Sequence, residues 1–327
     1  MGKPKSKQMQ KSKLLKRSSN HSQPFSDNNS YETNLTDSAS KLAGQSYKPK
    51  PGLYIVATPI GNARDITLRA LDTLHTADVI VCEDTRVTSK LLTIYNISRP
   101  LIAYHEHNSK FSGPRIINRL KQGEIVALVS DAGTPLISDP GFRLIQACAK
   151  EKIYTTHIPG ASSVLTSLAL AGLPTDKFLF AGFPPNKMSK RSNFLGGLKY
   201  VPATLIFFEN PKRLVKSLTD MARVFGPRDA ALARELTKKF EEVRRGSLNE
   251  LRDYYTKAEV PRGEVTIVIS PPSADKTELQ HEKIDHLLKK ALAISTLKDA
   301  VSAVVSVTGA PRRDVYTRAL ELSAQVK

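Results

Sequence analysis

Short apolar runs alternate with segments of helical periodicity from residue 52 onward. Runs rich in Val, Ile and Leu are typical of buried strands, and apolar residues repeated every three or four positions are typical of helices. The strands predicted in the first half of the chain are 53–57, 78–83, 100–105, 124–130 and 153–158. The helices predicted between them are 65–75, 88–95, 112–123 and 141–151. This alternation predicts a parallel sheet with helices on both faces.

The segment AGLPTDKF at residues 171–178 interrupts the alternation with glycine and proline, and it predicts a linker between two domains. The second half then repeats the alternation less regularly. Its predicted strands are 177–183, 203–209, 230–236 and 264–270, and its predicted helices are 211–226 and 247–258. The sequence thus predicts an α/β protein with two domains, at residues 51–172 and 173–271.

Residues 278–327 have no strand pattern and form a predicted helical region. Its helices are predicted at 278–293, 296–309 and 311–325. The connection TGAPRRD between the last two places a proline in the first helical turn, as in a helix-turn-helix. This region either contacts nucleic acid or forms a helical hairpin that packs on the body or on a second subunit.

The net charge of +18 is shared between a tail and the globular body. Residues 1–50 contain ten Lys or Arg against three Asp or Glu and few apolar residues, so we expect a disordered basic tail. This tail either tethers the protein to a polyanion or is a solvated appendage. The rest of the chain still carries +11, and a basic globular protein most often meets nucleic acid.

Cysteine content and hydropathy indicate the cellular compartment. Cys82 and Cys148 are the two cysteines, and both lie in apolar runs. This excludes a disulfide scaffold and a CxxC metal cluster and predicts buried thiols in a reducing cytosol. No apolar run approaches the roughly 18 residues of a membrane span, and the first residues lack the apolar region of a signal peptide. We therefore expect a cytoplasmic protein with no membrane partner.

Polar and glycine-rich segments follow every predicted strand of the first sheet, at the edge where open parallel sheets bind ligands. They are TPIGN (58–62), EDTR (83–86), HEHN (105–108), SDAGTPLISDPG (130–141) and PGASS (159–163). The first lacks the spacing and lysine of a P-loop and the glycines of a dinucleotide fingerprint. His105 and His107 have no third metal ligand nearby, so we expect no metal site.

These segments and several in the second half resemble the tetrapyrrole methylase superfamily. The motifs that carry the resemblance are YIVATPIGNARDITLRAL, CEDTR, SDAGTPLISDPG, PGASS, LAGLPTDKFLFAGFPP, ARELTKKFEEVRRG and RGEVTIVI. Within the superfamily the chain is similar to the subgroup that methylates small-subunit ribosomal RNA. The resemblance runs from about residue 52 to 270, and the helical region resembles the helix-turn-helix of longer members. It implies a parallel N-terminal sheet, a mixed C-terminal sheet and a homodimer.

The resemblance also implies a cofactor, S-adenosyl-L-methionine, folded in the cleft between the two domains. The implied reaction is methyl transfer to the 2′-oxygen of a cytidine in the decoding region of 16S rRNA, with the small ribosomal subunit as partner. Carried over position by position, the implied cofactor-binding residues are Pro59, Ser130, Asp131, Ala132, Gly133, Ser162, Ser163, Phe208 and Ala233. This set is chemically consistent, because Asp131 can accept a bond from an amino or ribose donor and Gly133 permits close backbone approach.

The acceptor hydroxyl needs a group that removes its proton. The candidate catalytic residues are Lys238, Glu235 and Asp84. A desolvated Lys238 beside other cations would have a lowered pKa and act as a base. The alternative is that Arg234, Glu235 and Lys238 form structural ion pairs with acidic neighbours or with one another. Asp139, the second carboxylate of the fourth segment, is a further candidate for the catalytic role, but we favour its capping the following helix.

Basic residues cluster between 184 and 223, where there are eight Lys or Arg and two acidic residues. The predicted RNA-binding residues are Lys187, Lys190, Arg191, Lys212 and Arg213. Two other functions stay open at this point: a small-molecule or protein methylase of corrinoid-precursor or diphthine type, and a non-catalytic RNA-binding assembly factor.

Overall fold

The structure, a computed structural model, describes residues 49–325, without the side chains of residues 274–281, 324 and 325. The predicted tail at residues 1–50 lies almost entirely outside this range. The described chain contains two five-stranded sheets, followed by a region of helices.

The first sheet is parallel throughout, with strand order β3-β2-β4-β1-β5. Its strands are β1 Gly52–Val56, β2 Val79–Cys82, β3 Leu101–Ala103, β4 Ile125–Leu128 and β5 Thr155–Ile158. One face is covered by α1 (Leu68–Thr76) and α2 (Thr85–Ile94), the other by α3 (Ser109–Lys121) and α4 (Phe142–Lys150). Every strand predicted in this half is present, which confirms the parallel sheet.

The second sheet is mixed, with strand order β6-β7-β10-β8-β9. Its strands are β6 Phe178–Gly182, β7 Thr204–Glu209, β8 Asp229–Arg234, β9 Glu242–Ser247 and β10 Val265–Ile269. The pair β6–β7 is parallel and the other pairs are antiparallel. The helices of this half are α5 Ser163–Ala171, α6 Met188–Leu198, α7 Leu214–Phe225 and α8 Leu248–Lys257. The last three bury their apolar sides on one face of the sheet.

Three elements that form the second half were not predicted from the pattern: strand β9 and helices α5 and α6. Strand β9, with sequence EVRRGS, is largely polar because it is an edge strand that pairs only with β8. Helix α5 precedes the predicted linker, yet its residues Val164 and Leu168 pack with Ile206 and Val268 of the second sheet. In α5 the polar Ser167 is buried and the apolar Leu165 is exposed, so the helical period is weak in the sequence.

The C-terminal region contains α9 (Ala274–Leu292), α10 (Leu297–Thr308) and α11 (Arg312–Gln325), as predicted. The Thr296 hydroxyl caps α10 by accepting a bond from the amide of Asp299, and Gly309 ends that helix with a left-handed backbone. The three helices share an apolar cluster of their own.

Cys82 and Cys148 are both buried free thiols, as expected. Within residues 49–325, no helix is both long enough and apolar enough to cross a lipid bilayer.

Candidate active site

The polar segments after the first, fourth and fifth strands are held together at one edge of the parallel sheet. Thr58 and Gly133 exchange two backbone hydrogen bonds, of 2.9 and 3.0 Å. The Thr134 hydroxyl donates to the carbonyl of Ala161 at 3.1 Å. These bonds fix the segment 130–141, called the fourth loop below, against its neighbours. The predicted convergence of the segments at the carboxyl edge is therefore present.

A cleft of about 450 Å³ lies between the fourth loop and the second sheet. Six residues from the predicted cofactor-binding set line it: Asp131, Ala132, Gly133, Ser162, Ser163 and Phe208. The other three lie behind its walls. Pro59 is buried, the Ser130 hydroxyl faces carbonyl groups of its own loop, and Ala233 packs against Ile60 and Leu236.

The sequence-based prediction missed most of the second wall of the cleft. Residues there that the motifs did not identify include Phe183, Glu209, Asn210, Pro211, Val265 and Thr266. The rule that ligands bind at the carboxyl ends of strands applies to parallel sheets, and this wall comes from the antiparallel pair β7–β10. Phe183, Val265 and Thr266 lie inside motifs that carry the family resemblance, LAGLPTDKFLFAGFPP and RGEVTIVI, but those motifs did not assign them to the site.

Asp84 and Asp131 are joined at the edge of the cleft, where the Asp84 amide donates to the Asp131 carboxylate at 3.2 Å. Burial is the main cause that raises the pKa of Asp131, and the nearby charge of Asp84 raises it further. The hydrogen bond from the Asp84 amide acts in the opposite direction. The Asp84 carboxylate itself caps α2 and pairs with Arg86 at 2.6 Å. Hydrogen bonds from the Arg86 side chain and amide lower the pKa of Asp84 to about 2. Such a weak base is poorly suited to the catalytic role predicted for Asp84.

The pKa of Lys238 is shifted in the direction opposite to the prediction. Burial lowers its pKa, but hydrogen bonds and charges from Glu235 and Glu264 outweigh burial and raise it. The Lys238 ammonium lies 2.9 Å from Glu235 and 3.2 Å from Glu264. The hydrogen bond from Lys238 lowers the pKa of Glu235. The expectation of a lowered lysine pKa is wrong, because two carboxylates rather than cations surround the amine.

Arg234 belongs to a separate ion pair, with Glu242 at 3.0 Å. The structural ion pairs considered as the alternative for this segment are thus present. Neither Glu235 nor Lys238 lines the cleft.

Asp139 does not cap a helix, so that expectation is wrong. Helix α4 begins at Phe142, and Gly141 occupies the cap position without a side-chain bond. The Asp139 side chain instead lines the cleft. Burial is the main cause that raises its pKa to about 6; the charges of Glu83 and Asp131 act in the same direction, and a hydrogen bond with Ser130 opposes them.

The predicted RNA-binding residues divide into exposed and buried groups. Lys187, Lys190 and Lys212 are exposed. Arg191 is 5% exposed and its guanidinium pairs with the buried Asp220 at 2.6 Å, so it is removed from the predicted RNA-binding set.

Arg213 is half-buried and pairs with Glu209 at 2.6 Å, which leaves it less available than the three lysines.

No group of three His, Cys, Asp or Glu side chains that could hold a metal ion occurs in the described part of the chain. The rings of His105 and His107 pack edge to face, with centroids 6.0 Å apart.

Two family models match this chain. The model described as Tetrapyrrole (Corrin/Porphyrin) Methylases matches residues 52–252, and the RsmI C-terminal HTH domain matches residues 278–323. A Ribosomal RNA small subunit methyltransferase I of Mesorhizobium japonicum is 49% identical over 86% of this chain and 97% of its own length. A protein of the same name from Halalkalibacterium halodurans is 42% identical over 83% of this chain and 96% of its own.

A solved diphthine synthase has a similar fold. Its TM-score is 0.53 at 17% identity, and the match covers 67% of this chain and 89% of that one. The family match covers the first sheet and all strands of the second sheet except β10. This chain belongs to the tetrapyrrole methylase family.

Proposed function

We propose that this protein methylates small-subunit ribosomal RNA, using S-adenosyl-L-methionine to modify the 2′-oxygen of a cytidine in the decoding region of 16S rRNA. The observation that carries the proposal is the similarity to a protein named for methylation of small-subunit rRNA, at 49% identity over 97% of that relative's length. The match to the C-terminal HTH model extends the similarity to the helices that follow the second sheet.

The charge and shape of the cleft fit this cofactor. Among the described residues that line it, four are acidic and none is Lys or Arg, in a chain with a net charge of +18. An acidic cleft suits a sulfonium cation and does not suit a polyphosphate. Ile137, Phe183 and Phe208 provide an apolar surface for a flat adenine ring.

Two polar features of the cleft suit the rest of the cofactor. Helix α5 begins at Ser163 on the cleft wall, where free backbone amides at a helix N-terminus can bind a carboxylate. Asp131 can accept a charge-assisted hydrogen bond from an amino or ribose group. When bound, the cofactor supplies an electrophilic methyl group, and the residues of the cleft hold the reacting atoms in line.

The exposed lysines Lys187, Lys190 and Lys212 support RNA as the substrate, because they lie on the half of the chain that forms the second wall of the cleft. Exposed ammonium groups bind phosphates regardless of base sequence. This basic surface favours RNA over a corrinoid precursor. We further propose that the enzyme is cytoplasmic and a homodimer. Light scattering tests the homodimer, for which we expect a mass twice that of the chain.

Calorimetric titration with S-adenosylmethionine tests the cofactor assignment and separates an enzyme from a non-catalytic assembly factor. We expect saturable binding to the wild-type protein. Asp131→Asn removes the charge while preserving the shape, and should weaken binding by about 1.5–3 kcal/mol, the typical contribution of a hydrogen bond to a charged group. Asp253→Asn, at an exposed position of α8, is the matched control and should bind normally.

The absence of binding heat at several temperatures would contradict the enzymatic assignment. Equal affinity in Asp131→Asn and the wild type would mean that Asp131 does not contact the cofactor.

A further inference from the structure

Four carboxylates line the cleft, and two of them, Glu209 and Glu264, are paired with cations. Asp131 accepts a hydrogen bond from the Asp84 amide at 3.2 Å. Glu209 lies 2.6 Å from the Arg213 guanidinium, and Glu264 lies 3.2 Å from the Lys238 ammonium. Among the side chains that the structure describes, none of Lys, Arg or His forms an ion pair with Asp139. Asp131 and Asp139 are thus the cleft carboxylates without a cation partner among the described side chains, and Asp131 is assigned above to the cofactor.

The backbone on the N-terminal side of Asp139 is strained. Leu136 and Ser138 have φ angles of 76° and 69°, in the left-handed region that side chains other than glycine rarely adopt. Ser138 lines the cleft together with its two neighbours, Ile137 and Asp139. Strain of this kind persists where the surrounding structure holds it, and it is concentrated at functional sites.

We propose that Asp139 is the general base that accepts the proton of the acceptor ribose hydroxyl. The inference rests on the proposed function. The Asp139 carboxylate takes the hydroxyl proton as the ribose oxygen forms its bond to the methyl carbon. The bond between that carbon and the sulfonium sulfur breaks, and its electron pair stays on sulfur. Asp139 ends the step as a neutral acid and returns the proton to water.

The groups around Asp139 set its pKa in a range that suits a general base. The groups that act on it are Glu83 beyond β2 and the Ser130 hydroxyl and Asp131 in the fourth loop. Glu209 and Glu264 are the acidic groups of the opposite wall. With burial as the largest cause, the pKa of Asp139 rises to about 6, so the residue is ionised near neutral pH yet is a stronger base than an ordinary carboxylate.

The sign of the pH dependence follows from which form is active. Because the ionised form accepts the proton, kcat/KM should rise about tenfold per pH unit below pH 6 and level off above it. Stability should behave in the opposite way. The folded pKa is higher than the ordinary value of 3.8, so the contribution of Asp139 to stability is present at low pH and is lost as pH rises through about 6.

The test is Asp139→Asn, with Asp139→Glu as the conservative variant and Asp253→Asn as the matched exposed control. In Asp139→Asn we expect methyl transfer to small subunits to fall by about 10²–10⁴-fold, the usual contribution of a general base. S-adenosylmethionine affinity should be retained, and the residual activity should lose the rise below pH 6. Asp139→Glu should recover part of the rate.

A readout independent of activity comes from denaturant unfolding without cofactor. Asp139→Asn should be more stable than the wild type at pH 8, and this difference should shrink as the pH falls below about 6.

Three results would overturn the role of Asp139: full activity in Asp139→Asn, an unchanged pH profile, or a loss of cofactor affinity large enough to explain the lost rate. An inactive wild-type enzyme that still binds S-adenosylmethionine would contradict the proposed function itself, and the role of Asp139 would fall with it.

Discussion

At the scale of single residues, Arg191 and Lys190 show that formal charge does not by itself identify an RNA contact. The two are adjacent in sequence, but α6 turns Arg191 inward to Asp220 and leaves Lys190 in solvent. The carbonyls of Pro185 and Asn186 accept further bonds from Arg191, at 3.2 and 3.0 Å. Arg191 is therefore part of the folded core of the second half.

Substitution of Arg191 should affect stability, whereas substitution of Lys190 should affect RNA binding. Arg191→Met should destabilise the protein by about 3 kcal/mol, because it leaves the buried Asp220 with Arg223 as its remaining ion-pair partner. Lys190→Glu should change stability by less than about 0.5 kcal/mol. It should weaken binding to small-subunit rRNA and flatten the slope of log affinity against log salt by about one.

Urea unfolding and RNA titrations at several salt concentrations measure these effects. If Arg191→Met were fully stable but deficient in RNA binding, Arg191 would return to the RNA-binding set.

At the scale of elements, the segment TPIGN (58–62) after β1, called the first loop, is packed closely against the segment after β8. The amide of Asn62 donates to the Thr237 hydroxyl at 3.0 Å. Glu235 and Thr237, on either side of Leu236, have left-handed backbones with φ angles of 49° and 64°. Gly61 allows this approach, since a Cβ there would lie 2.9 Å from the carbonyl of Leu236. This contact joins the two halves of the molecule beside the cleft.

Gly61→Ala should separate these two segments. Its Cβ would also lie 2.4 Å from the Cγ of Lys238, so we expect a loss of about 1–3 kcal/mol in stability, as for overpacked cores. S-adenosylmethionine affinity should fall as well, because Ile60 beside it lines the cleft.

Gly196→Ala in α6 is the matched control, because a Cβ there meets no atom within 4 Å. It should stabilise the protein by about 0.5–1 kcal/mol. Equal stability of Gly61→Ala and the wild type would show that the first loop does not need this close approach.

The sequence predicted elements well where an apolar pattern decides the structure, and less well where contacts across the molecule decide it. The inner strands β1, β2 and β4 follow from apolar runs that are buried on both faces, and the edge strands β3 and β5 follow from shorter runs that are only partly buried. The polar edge strand β9 and the cleft wall from β7 and β10 depend on pairing and packing that local patterns do not encode. The same limit explains Lys238, whose pKa depends on Glu264 of a distant segment.

At the scale of the whole molecule, acidic and basic residues are unevenly distributed. The chain is strongly basic, whereas the described residues that line the cleft include acids and no Lys or Arg. This division suits an enzyme that holds a small cation in its cleft and a polyanion on its surface. The match of residues 278–323 to an HTH domain adds a further candidate surface for RNA.

The most direct test of the central claim is to map the methyl group that the protein transfers. Small ribosomal subunits from a strain that lacks this enzyme would be incubated with isotope-labelled S-adenosylmethionine and the purified protein, and the rRNA would be digested and analysed by mass spectrometry. We expect the label on the ribose of one cytidine in the decoding region, and less label with Asp131→Asn when the cofactor is limiting. Label on a base or on ribosomal protein, or no label despite cofactor binding, would contradict the account.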